Sequence, residues 1–140
     1  GTPAGSSLIG QPFSGPKYFW PRPSATADFP YNALASGGSN LGPTNKDLIS
    51  QVAERVKTLR ESGIQELLPG DLVMASGSGL DPNITLEAAL VQVPRVAKER
   101  KVNEEKVRSL VAEHIEGRQL GFMGVPRINV LKLNLALDNV

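Results

Sequence analysis

The sequence predicts a mixed α/β domain dominated by helices, with a small sheet packed by helices and a loop-rich, Pro/Gly-rich N-terminal segment. Three observations carry that expectation. At 140 residues the chain is long enough for one real core and too short for two ordinary domains. Its first 43 residues are dense in Gly, Pro and Ser, and beyond Pro43 apolar residues recur every three or four positions. Short apolar runs bounded by Gly and Pro then fall between the helical stretches, which is the pattern of a compact α/β or α+β layer.

In the front segment, "SLIGQPF" and "KYFW" read as short strands. Pro12, Pro16, Pro21, Pro23 and Pro30 forbid long ladder pairing and favour an extended path laid over something else. Phe13, Tyr18, Phe19, Trp20, Phe29 and Tyr31 supply most of the aromatic area and are expected to fold back as a lid on the core. After Pro43, Thr44 with Asp47 resembles a capping pair. Leu48, Val52, Val56 and Leu59 then form a helical stripe that Gly63 closes. Pro69 and Gly70 mark a turn, and "DLVMA" reads as a short buried strand.

Thr85 is the expected N-cap of the next helix, with Leu86, Ala89, Leu90 and Val93 on one face. Pro94 must kink or divide it, and "PRVAKERK" continues as a basic turn of helix. Asn103 starts another, stapled by Val102 and Val107, striped by Leu110, Val111 and Ile115 and ended by Gly117. "QLGFMG" reads as a strand closed by Gly124 and Pro126. The tail "INVLKLNLALDNV" fits two templates. Leu131, Leu133, Leu135 and Leu137 alternate like a strand, while Asn129 as a cap and the Leu/Ala richness favour a buried helix.

Composition removes several classes of function. Fifteen basic against fourteen acidic residues leave a formal charge of +1, so no basic footprint points to nucleic acid as a partner. The chain has no cysteine, which excludes disulfides, thiol catalysis and Cys-based zinc sites. His114, the single histidine, has no second His to share a metal and reads as a structural or surface residue. No apolar run is long enough to span a membrane. Residues 1–6 read as a linker or cloning scar, and residues 7–140 as the domain.

One pattern recurs: "ASGGSNLGPTN" from Ala35 and "ASGSGLDPNIT" from Ala75 each run from Ala-Ser-Gly through Leu and Pro towards a helix start. Free amides ahead of a helix can cradle an anion, but the same residues also serve as turn and cap punctuation. Neither stretch contains the Lys or Arg of a phosphate loop, and Asp81 in the second would repel a phosphate. A Ser-His-acid triad would have to use the one histidine, on a helix face. Glu104 and Glu105, adjacent in a helix, suit a charged first turn rather than a catalytic pair. No catalytic residue emerges, and the residues alone describe a binding or assembly domain.

Six blocks in order carry a resemblance: "SLIGQPF", "YFWPRPSAT", "YNALASGGSNLGPTN", "SGLDPNIT", "QVPRVAKER" and "INVLKLNLALD", from about Ser7 to Asp138. Together they resemble the C subunit of the Kdp-type potassium-transporting P-type ATPase. The resemblance implies a soluble domain that follows a single N-terminal membrane helix absent from this sequence, on the extracytoplasmic side of the cell membrane. It implies assembly with a potassium-binding pore subunit, a P-type ATPase subunit and a small single-span subunit. The implied role is that of a non-catalytic assembly and stabilising subunit docked on the outer face of the pore subunit. The alternative is a nucleotide-binding accessory subunit that raises the pump's affinity for ATP. Under that alternative Ser36, Gly37, Gly38 and Ser39 are the candidate nucleotide site, and ATP is the one candidate ligand. Leu34 stands where relatives often carry a Gln, and ATP lies across the membrane from an extracytoplasmic domain, so assembly is the leading expectation.

Overall fold

Local capping chemistry lays out the helices. In the computed structural model, which describes residues 12–24, 42, 44–76, 80–117 and 125–140, α1 runs over Lys46–Glu61. Its cap is Asn45 rather than Thr44: the Asn45 side chain accepts from the Asp47 amide at 2.8 Å. The other end closes as the sequence predicts. Gly63 sits at φ +103°, its N–H reaches Arg60 O at 3.0 Å and the Ile64 N–H reaches Leu59 O at 3.2 Å, while both Leu59 and Ile64 are buried. That is a Schellman closure with its hydrophobic contact.

"DLVMA" is not a strand. Gly70–Val73 forms a single helical turn, α2, behind Pro69. Asp71 explains the preference, because its carboxylate accepts from the Thr85 amide at 2.8 Å and the Thr85 hydroxyl at 3.2 Å. A short apolar run cannot choose between turn and strand by itself, and here a contact fourteen residues away chooses.

The sheet has the order β1-β3-β2, with β1 at Asn83–Thr85, β2 at Ile115–Glu116 and β3 at Arg127–Asn129. All pairings are antiparallel: Ile84 faces Ile128 across one side and Ile115 faces Ile128 across the other. Both longer strands run straight into helices whose N-caps are their own last residues. Thr85 accepts from the Ala88 amide to start α3 (Leu86–Leu90), and Asn129 accepts from the Lys132 amide to start α6 (Val130–Leu137). The C-terminal tail is thus a helix, one of its two sequence readings.

Pro94 divides rather than kinks. It stands in the first turn of α4 (Val93–Arg100), where its missing N–H costs no hydrogen bond. Asn103 caps α5 (Glu104–Glu113) as expected, and Glu104 and Glu105 form its acidic first turn. The core gathers Ile84, Val93, Val96, Val107, Val111, Ile128, Leu133 and Leu137 from the sheet and from α4, α5 and α6. The expected fold class, mixed and helix-dominated with a small sheet, is the one observed. The expected strand "QLGFMG" lies outside the described residues, as do Ser7–Gln11 of "SLIGQPF".

Candidate functional site

Residues 12–24 form a proline-flanked strap, and "KYFW" within it is not a strand. Gly15–Tyr18 is a turn closed by Tyr18 N–H to Gly15 O at 3.1 Å, and the indole N–H of Trp20 returns to the same carbonyl at 3.0 Å. Phe19 then enters the core with no exposed surface. The strap's backbone still needs hydrogen-bond partners, since buried main-chain groups are rarely left unpaired. Side chains supply them.

Asn134, buried on α6, accepts from Phe19 N–H at 2.9 Å and donates to Phe19 O at 3.0 Å. Gln92, at the start of α4, repeats the arrangement on the next residue: it accepts from Trp20 N–H at 2.7 Å and donates to Trp20 O at 3.2 Å. Arg95 donates to Tyr18 O at 2.6 Å and Arg100 to Lys17 O at 2.7 Å. Lys17 to Trp20 therefore place each of their four successive carbonyls on a helix side chain. Arg100 also holds Asp138 at 2.8 Å, which in turn accepts from the Tyr18 hydroxyl at 3.1 Å.

Arg95 is the most unusual member. It is 5% exposed, its Nε and Nη1 have no hydrogen-bond partner, and no carboxylate lies within ion-pair distance among the described residues. Its guanidinium stacks on the Trp20 ring at 4.1 Å, which offsets part of the desolvation through the ring's negative face. Burial pulls its pKa down to about 10, against a smaller opposing pull from Glu99.

Between the strap and α1 lies a cleft of about 520 Å³, walled by Phe13, Trp20 and Leu59 with Arg55 and Gln51 on its helical side. Arg55 donates to Val73 O at 2.9 Å, and burial lowers its pKa. Arg22, also on the cleft, pairs with Asp81 at 3.3 Å.

The sequence-predicted residues Ser36, Gly37, Gly38 and Ser39 lie outside the described residues. In the second Ser-Gly stretch, the described part serves the fold. Ser76 is buried, Asp81 accepts from the Asn83 amide at 3.0 Å and binds Arg22, and Thr85 caps α3. His114 closes α5, its ring Nδ1 2.8 Å from Leu110 O.

Gln92, Arg95, Arg100 and Asn134 were not singled out by motif, although two signals were present. Asn134 is a polar residue in phase with Val130, Leu133 and Leu137 on the buried face of α6. Arg95 falls between the buried Val93 and Val96 in a stretch that reads as basic surface.

These features define a domain whose buried polar chemistry is committed to holding polypeptide. A family model described as the c chain of the K+-transporting ATPase matches residues 1–139. The potassium-transporting ATPase KdpC subunit of Geobacter metallireducens is 63% identical over 140 residues, covering all of this chain and 74% of that protein. The corresponding subunit of Geobacter sulfurreducens is 61% identical with the same coverage, and that of Burkholderia vietnamiensis 58% identical over 99% of this chain and 72% of its own length. The chain belongs to the KdpC family of K+-transporting ATPase c chains.

Proposed function

We propose that residues 7–140 are the soluble domain of a non-catalytic subunit that assembles and stabilises a high-affinity, ATP-driven potassium uptake complex. In this reading the domain docks on the outer face of the pore subunit, beside the P-type ATPase subunit and a small single-span subunit. A membrane helix ahead of Ser7 joins it to the cell membrane and leaves it on the extracytoplasmic side. The observation that carries the reading is family membership across residues 1–139. Among the described residues, the buried Gln92, Arg95 and Asn134 bond to main chain, and no helix is long and apolar enough to cross a membrane.

Because the chain has no cysteine, a single Leu67→Cys at a position 91% exposed reports its side of the membrane directly. In cells with a permeable outer envelope and an intact inner membrane, an impermeant maleimide should label Cys-bearing protein before lysis. Labelling that requires lysis would refute the extracytoplasmic placement. The purified chain should release no phosphate from ATP, and turnover that follows the protein peak through repurification would refute the non-catalytic assignment.

A further inference from the structure

The way the strap is held separates ligand from receptor within one chain. In a sheet, two backbones satisfy each other, and neither edge is complete alone. Here the bonds to Lys17–Trp20 come from side chains of Gln92, Arg95, Arg100 and Asn134. The backbones of α4 and α6 close their own ladders and need nothing from the strap. Recognition is directed at main chain: carbonyls of four consecutive residues and the N–H groups of two of them, Phe19 and Trp20. One side chain, Phe19, is fully buried as an anchor, while Tyr18 and Trp20 remain partly exposed. The division of labour is that of peptide-binding domains, in which main-chain bonds give affinity and a side-chain pocket gives selectivity.

We infer that the face formed by Gln92, Arg95, Arg100 and Asn134 is a receptor for a peptide main chain with one aromatic anchor, occupied in this protein by its own residues 17–20, which leave the Gly15–Tyr18 turn. The inference rests on hydrogen-bond geometry and is independent of the pump reading above. Tethering raises the local concentration of the segment, so the face is filled in cis and a free copy of the same segment competes poorly. When the tethered copy is spoiled, the face becomes available.

The test is complementation in the full chain. Phe19→Asp puts a charge where no surface is exposed and expels the tethered strap. A fluorescein-labelled synthetic peptide of residues 12–24 is then titrated into that variant, with anisotropy and thermal melting as readouts. Saturable one-to-one binding with a rise in melting temperature is expected, with little binding to the unmodified chain. Two changes isolate the main-chain contacts. A peptide N-methylated at the Phe19 nitrogen loses its bond to Asn134 and should bind about tenfold more weakly or worse, and Asn134→Leu in the Phe19→Asp background should weaken the native peptide at least as much. Absence of binding, including a Phe19→Asp chain that neither folds nor is rescued by peptide, would overturn the inference. So would equal affinity of the N-methylated peptide, which would assign the contact to Phe19 burial alone.

Discussion

Asn134 ties the strap to α6 through a single buried side chain. It is 1% exposed and satisfies both main-chain groups of Phe19. Asn134→Leu keeps the γ-branched shape but strands a buried N–H and a buried C=O, each worth about 1–3 kcal/mol. A loss of about 2–6 kcal/mol is therefore expected in urea denaturation followed by Trp20 emission. Trp20 is the single tryptophan and lies within the strap, so its emission should also shift red before global unfolding. Arg95 makes a different prediction. Burial lowers the folded pKa of its cation to about 10, well below the ordinary guanidinium range, so the proton balance between unfolded and folded chains differs only above about pH 10, where stability would rise with pH. Between pH 6 and 9 both states hold the proton. The stability difference between the native chain and Arg95→Met should accordingly be flat across that range, and a slope would show that the guanidinium is coupled to another titrating group.

At the scale of elements, sequence legibility followed the range of the interaction. The caps of α3, α5 and α6 were readable because a cap is decided within three residues. The division at Pro94 was readable because proline acts on its own turn. "DLVMA" and "KYFW" were misread as strands because apolar content sets burial and not conformation. Asp71 reaches Thr85, and Asn134 reaches Phe19 from 115 residues away, and no local pattern announces either contact. Of the aromatics expected to cover the core, Phe13, Phe19 and Trp20 do so and Phe29 and Tyr31 lie outside the described residues; the one that enters it fully is Phe19, with Trp20 only partly buried beside it. Lys101 offers a test of helix closure. It ends α4 at φ 58°, a left-handed conformation that disfavours a Cβ, in the place Gly63 occupies after α1. Lys101→Gly should raise stability by about 0.5–1 kcal/mol in thermal or urea unfolding, and a loss would show that the lysine side chain makes a compensating contact.

At the scale of the whole molecule, the proposed assembly role leaves ATP chemistry to a partner. Under the assembly role proposed above, Ser36 to Ser39 are expected to contribute no independent nucleotide site. Calorimetric titration of ATP at two salt concentrations should give at most weak, salt-sensitive heats, unchanged by Ser36→Ala with Gly38→Ala in a variant shown to be folded. Micromolar, adenine-dependent binding that persists at high salt and vanishes in that variant would promote those residues to a nucleotide site. The central claim is the assembly role, and recovery of the complex tests it most directly. With an affinity tag on the pore subunit, detergent extracts from cells that express or lack the full-length form of this chain are purified side by side. The account predicts a complex with this chain in stoichiometric amount, and loss of the P-type ATPase subunit from the purified material when the chain is missing. An intact pump that keeps its ATPase subunit and full potassium-stimulated hydrolysis without the chain would contradict it.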